Sequence, residues 1–195
     1  MDKAKPYVII VAGIPASGKT TYANHISTKL KIPFIGKDTI KEKLYDVIQF
    51  DTSKRENSQL YGAASYSVFF HITECLMKAN VSFVLESNFI PSSADILLPL
   101  VNEYKYKPLT ILFDAEIKTL HKRFCERDVT DERHPGLASK SNVFVDLEYF
   151  QSATMSLRDF CVGDKLVVDT TDFSTVDYNE VDNHVINFIE QLIYV

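Results

Sequence analysis

The stretch GIPASGKT, residues 13–20, sets two glycines five positions apart and follows the second at once with Lys19 and Thr20. Before it runs YVIIVAG, 7–13, an unbroken apolar and β-branched segment with the pattern of a central parallel strand buried on both faces. After it, KTTYANHISTKL, 19–30, reads as a helix carrying Tyr22, Ala23, Ile26 and Leu30 on one side. Strand, glycine turn and helix together fill GxxxxGK[ST], the Walker A pattern, in the setting that pattern requires. Gly13 and Gly18 let the backbone curl so that successive N–H groups face an anion, and the helix that starts here adds its positive end. The plain alternative, a tight strand-to-helix turn with an incidental lysine, leaves the conjunction of both flanks unexplained. The expected cradle is Gly13, Ile14, Pro15, Ala16, Ser17, Gly18, Lys19, Thr20 and Thr21. In it Lys19 reaches the β and γ phosphates of a nucleoside triphosphate, and the Thr20 hydroxyl is a ligand for Mg²⁺.

Outward from that turn, strands and helices alternate. Strands are expected at 32–38, 81–89, 108–115 and 164–172, and helices at 39–48, 57–79, 93–104, 117–128, 143–160 and 175–193. In the long helix, Leu60, Ala64, Val68, Ile72 and Leu76 recur every four residues, with Cys75 and Ala79 widening the stripe. The helix at 93–104 is interrupted by Pro99. Residues 50–59 and 129–142 are polar, the first a loop and the second a flap between two helices. No repeat, low-complexity tract or long linker divides the chain, so one α/β domain over 1–195 is expected, with parallel strands and right-handed crossovers.

The 195 residues carry 21 Lys+Arg against 26 Asp+Glu, a formal charge of −5, which argues against long nucleic acid as a partner. No apolar run approaches the ~20 residues of a membrane span, and the N-terminal apolar stretch runs into the glycine turn instead of a cleavage site, so a cytoplasmic location is expected. Cys75, Cys125 and Cys161 are far apart and form no CxxC, as reduced thiols in apolar segments do. No HxxxH or Cys/His cluster supports zinc; His25, His71 and His121 read as structural, and His134 as a solvated loop histidine with substrate contact as the alternative.

A triphosphate on this loop could be transferred, hydrolysed to drive motion, or read by a switch. FDAEIK and VDTTDF follow the fourth and fifth strands, so the guanine-reading NKxD is missing. LESNF at the third strand is no DxxG switch, and no apolar run ends in the paired acids of a motor. The order Walker A, aspartate after strand two, polar end of strand three and arginine-bearing lid resembles the P-loop kinase-like family. That family includes polynucleotide kinases, chloramphenicol phosphotransferase and zeta-type toxins, and the small AAA-type kinases look most similar. The resemblance spans nearly the whole chain by element order, although the Walker A match alone is specific.

The resemblance implies a three-layer P-loop NTPase fold: a five-stranded parallel sheet ordered 2-3-1-4-5, helices on both faces, and a small helical lid at about 127–142. It implies ATP and Mg²⁺, with the γ-phosphoryl passing to a hydroxyl of a small-molecule or nucleotide-type acceptor. Lys19, Asp38 and Arg127 would be catalytic, Asp38 taking the hydroxyl proton. Glu86 and Asn88, with Asp38, would meet the acceptor, and Glu86 with Thr20 would stand near the metal. Arg123, Arg127 and Arg133 would contact the nucleotide and the moving phosphoryl. Each has a plainer reading: Asp38 as a helix N-cap, the arginines as partners of Glu126, Asp128 and Glu132, and Lys37 and Lys41 as solvated surface. Asp114 is expected to cap the helix that follows it. A regulatory ATPase without an acceptor is the alternative of another class.

Overall fold

The computed structural model describes residues 5–131, 133–138 and 143–192. The elements run β1 (Tyr7–Gly13), α1 (Lys19–Leu30), β2 (Phe34–Gly36), α2 (Lys37–Ile48), α3 (Arg55–Lys78), β3 (Phe83–Glu86), α4 (Ser93–Glu103), β4 (Lys107–Asp114), α5 (Ile117–Asp128), α6 (Leu147–Thr154), β5 (Asp164–Asp169) and α7 (Tyr178–Gln191). The strands form one parallel sheet ordered β2-β3-β1-β4-β5. Strand alternation divides β1 between two cores. Val8, Ile10 and Ala12 pack on one face with Phe69 and Met77 of α3 and Leu97 and Val101 of α4. Ile9 and Val11 pack on the other with Tyr22, Ala23 and Ile26 of α1 and Val181 and Val185 of α7. A third cluster, Ile14, Ala115, Leu120, Phe124, Phe150 and Leu157, ties α5 and α6 to the carboxyl end of the sheet.

Register builds the site. Glu86 at the end of β3 pairs with Val11 on one side and Gly36 on the other. The loop after β1, the end of β3 and the first turn of α2 therefore open at one place, the crevice where parallel sheets bind ligands.

Several expectations are corrected. The period of α3 is as read, but its buried face is Ser65, Phe69, Thr73 and Met77, while Leu60 is 63% and Val68 41% exposed. Ser65 and Thr73 can be buried because their hydroxyls donate to the carbonyls of Tyr61 and Phe69 one turn back, at 2.6 and 2.9 Å. Cys75 and Cys161 are exposed, not packed in apolar segments. Helix α4 continues through Pro99, since both Pro99 and Asp95, whose carbonyl would lose its partner, face solvent. The helix expected over 143–160 breaks into α6 flanked by 3₁₀ turns at Val143–Val145 and Met155–Asp159. Asp114 does not cap α5. It accepts from Arg158 Nε at 2.9 Å, and Arg158 also donates to the Ala115 carbonyl. Of the segment expected at 127–142, residues 132 and 139–142 lie outside the described residues. Among the described residues no helix is long and apolar enough to cross a membrane.

Candidate functional site

The turn after β1 is held in a shape that fixes its residue types. Gly13 has φ +146° and Gly18 φ +87°. A Cβ at Gly13 would collide with the Phe113 carbonyl of β4, and one at Gly18 would stand 2.9 Å from the Phe173 ring. Thr170, buried after β5, clamps the loop by donating to the carbonyls of Ser17 (3.1 Å) and Asp114 (2.9 Å). Ser17 Oγ is buried with no hydrogen-bond partner among the described residues, a spare polar atom in a loop of inward-facing backbone.

Beyond the loop lies a cleft of about 380 Å³ lined in part by Pro15, Lys19, Thr20, Asp38, Glu86 and Asn88, with Arg127 and Arg133 opposite. Lys19 is 6% exposed; its Nζ reaches the Ile14 carbonyl at 3.4 Å and Glu86 Oε1 at 3.9 Å. Burial moves the two groups in opposite directions, Lys19 below its usual pKa and Glu86 above, each partly restored by the other's charge. The Thr20 hydroxyl, beside the Glu86 carboxylate, also pulls that pKa back down. Asp38 lies in the first turn of α2, and the N-cap is Gly36, so the capping reading is overturned. Its carboxylate takes a 2.9 Å bond from Lys37 Nζ. Burial alone would raise its pKa, but Lys37, Lys19 and Arg133 outweigh that and hold it below the usual carboxylate range.

The arginines diverge. Arg127 Nε is buried without a hydrogen-bond partner among the described residues, and burial followed by the neighbouring charge of Arg133 lowers its pKa. Arg133 donates to the Leu137 carbonyl at 3.4 Å and stands 3.6 Å from Asp128 Oδ1. The structure does not bring Arg123 into this cleft. It turns towards the segment after β5, bonding the Thr170 and Thr171 carbonyls at 2.7 and 3.0 Å and lying 3.9 Å over the Phe173 ring. Thr21 also lies outside, in a groove with Tyr22, His25 and Tyr178. The piece of chain after Arg133 docks on α2: His134 Nε2 meets Asp46 Oδ1 at 3.0 Å, and Gly136 packs against Tyr45 with no room for a Cβ.

Lys37 and Lys41 are not solvated surface. The Lys37 side chain is 15% exposed and Lys41 as a residue 8%. Lys41 lines the cleft and donates to Ser58 Oγ at 2.9 Å. Its place three residues after Asp38 on one helix was the signal available in the sequence. Tyr66 gave none: its hydroxyl bonds Ser87 Oγ at 2.8 Å and the Asn88 carbonyl at 3.1 Å, supporting the polar end of β3. Asn88 Oδ1 is buried with no hydrogen-bond partner among the described residues.

A Walker A loop with Asp38 beside it at the end of a 2-3-1-4-5 sheet defines a P-loop protein of the kinase-like class. The chain belongs to the family AAA_33, described as an AAA domain, which matches residues 8–143. The crystal structure of a "putative kinase" from Chloroflexus aurantiacus is similar with a TM-score of 0.80 and 28% identity, covering 96% of this chain and 98% of that one. The fold is shared with a sugar kinase from Janibacter sp. (TM-score 0.59, 14% identity, 95% of each chain) and a gluconokinase from Sinorhizobium meliloti (TM-score 0.56, 13% identity, 98% of each chain). No curated protein matches the chain.

Proposed function

We propose that the protein transfers the γ-phosphoryl of ATP to a hydroxyl of a small-molecule or nucleotide-type acceptor. The observation that carries this reading is Asp38: an ionised carboxylate in the same cleft as the Walker A lysine, facing two guanidiniums. The spare Ser17 hydroxyl and the partnerless Arg127 Nε suit a polyanion that brings the missing acceptors. Arg123 stacked on Phe173 beside Gly18 offers a flat, cationic surface for the nucleotide base, in keeping with its expected contact with the nucleotide.

Thr20 and Glu86 supply adjacent hard oxygen donors, which suit Mg²⁺, an ion that keeps waters and takes its other ligands from phosphates. Among the described residues no cluster of three or more His, Cys, Asp or Glu could hold a metal by itself. The ion, when bound, neutralises charge on the β and γ phosphates. Lys19 and Arg127 orient those phosphates. The acceptor oxygen attacks the γ-phosphorus, the bond to the β,γ-bridging oxygen breaks, ADP leaves, and Asp38 receives the hydroxyl proton. A lowered pKa is no obstacle, because in a loose transition state the carboxylate mainly orients the hydroxyl and takes its proton late. Residues 127–142 would act as the lid, latched on α2 through His134 and Asp46, and exclude water that would hydrolyse ATP. A cytoplasmic location accords with the three free thiols.

Asp38→Asn tests the reading. Transfer from γ-labelled ATP to pools of nucleosides, sugars, antibiotics and hydroxyl-ended oligonucleotides should fall ~10²–10⁴-fold while ATP affinity is kept. Transfer near the wild-type rate would remove Asp38 from the mechanism. Free phosphate that no pool alters would point to a regulatory ATPase instead.

A further inference from the structure

Lys41 has no task in the transfer just described. It leaves α2 one turn beyond Asp38, so the two side chains share a helix face with Cβ atoms ~5–6 Å apart. Its Nζ stands 2.9 Å from Ser58 Oγ of α3 and 5.9 Å from the centre of the Phe50 ring. That bonded partner is neutral. The carboxylate acting on it is Asp38, already held by Lys37, while Lys37 and Arg133 repel it. A buried ammonium in such company is costly unless an anion joins it. Lys41, Ser58 and Arg133 all line the cleft, so an anion entering there would meet an ammonium, a hydroxyl and a guanidinium together. Glu42 also borders the cleft, yet it does not act on Lys41 as Asp38 does.

We infer that Lys41 and Ser58 form the anion-binding end of the acceptor site. The acceptor is then a small molecule with a compact oxyanion, a carboxylate or phosphate monoester, about one helical turn (~5 Å) from the hydroxyl that Asp38 receives. The inference rests on the kinase reading, because it assigns the far end of that reading's acceptor site. It narrows the acceptor to hydroxy acids and to phosphorylated polyols, sugars or nucleosides. Any reaction that supplies the acceptor must leave it already oxidised to an acid or phosphorylated once.

Matched sets test it: glycerol with glycerate and glycerol phosphate, glucose with gluconate and glucose phosphate. Each is assayed for transfer with labelled ATP and, separately, for binding by calorimetry with a non-hydrolysable ATP analogue filling the nucleotide site. Inorganic phosphate serves as the simplest binding probe. The wild-type protein should favour anionic over neutral members by about 10–100-fold in kcat/KM, the size of a hydrogen bond to a charged group. Lys41→Met should abolish that ratio chiefly through KM, and Lys41→Arg should keep most of it. Equal use of neutral and anionic members, an unchanged ratio in Lys41→Met, or no Lys41-dependent binding of phosphate or any anionic member overturns the inference. Ser58→Ala and the wild-type ratio itself keep the test in force if a Lys41 variant folds poorly. The two readings separate cleanly. Lys41-dependent anion binding with no phosphorylated product would uphold the anion site and sink the kinase, whereas transfer to neutral members alone would do the reverse.

Discussion

Asp38 and Glu86 are carboxylates in one cleft whose environments push them apart. Lys37 holds Asp38 ionised, whereas burial drives Glu86 towards its protonated form. Such a split is how one site assigns different work to like groups. Lys41 is the sharper case for measurement. Burial, followed by the charge of Lys37, lowers its pKa to about 8 from 10.5. In the unfolded chain it titrates at the higher value, so between about pH 8 and 10.5 the unfolded state binds more protons and Lys41's share of stability rises with pH. Below pH 8 both states are protonated and the full penalty of the buried charge remains. The shift corresponds to on the order of 3 kcal/mol. Urea unfolding of wild type and Lys41→Met should therefore show the variant's relative stability dropping by roughly that amount from pH 7 to 10.5. The groups facing Lys41, namely Lys37, Asp38, Glu42 and Arg133, are common to both proteins and cancel to first order. A difference that stays flat would mean that Lys41 is not buried as a cation. Lys19 and Thr20 were legible in the sequence because a rare motif names them. Lys41 was not, because lysine is a surface residue by default and only the packing of α3 against α2 takes it out of water.

At the scale of elements, period is read from sequence more reliably than phase. The four-residue repeat of α3 was visible, but the apolar side chains Leu60 and Val68 face out while Ser65 and Thr73 face in. Hydrophobicity alone assigns the wrong face when buried hydroxyls find a partner one turn back. The consequence is a pair of unequal substitutions. Phe69, fully buried between β1 and Phe89, should lose about 3–5 kcal/mol on truncation to Ala. Leu60→Ala should stay within about 0.5 kcal/mol. Comparable losses in chemical denaturation would restore the face first read from the repeat. The strands were easier to read: β1 and α1 lie where the sequence puts them, since an apolar run bounded by a glycine turn leaves little freedom. The short β2 and the broken region around α6 were harder, because three residues carry no period and 3₁₀ turns share the helical one.

At the scale of the molecule, the cleft is assembled from parts distant in sequence: the loop after β1, the first turn of α2, the end of β3, the last turn of α5 and the segment behind it. None of these alone holds a nucleotide, so binding energy gained there belongs to the folded state only. A ligand present at 100 times its Kd would add about 2.7 kcal/mol. For a chain of this length that raises Tm by about 5–10 °C, taking 2–4 °C per kcal/mol. Magnesium and ATP together should produce this shift in the wild-type protein. In Lys19→Met the shift should nearly vanish at the same concentration, because the buried ammonium beside Glu86 is replaced by a group that attracts no phosphate. Reading the ligand-induced change, not Tm itself, separates binding from whatever the variant does to the free protein, where Glu86 loses its nearest cation. An equal shift in both proteins would place the nucleotide away from the Walker A loop. The groove between β5 and α7, lined in part by Asp169, Asp177 and Glu180, has the wrong charge to take it. The groove at the amino ends of β1 and β4, lined in part by Lys5, Lys105 and Lys107, has the right one, so that result would move the search there and contradict the site as well as the mechanism.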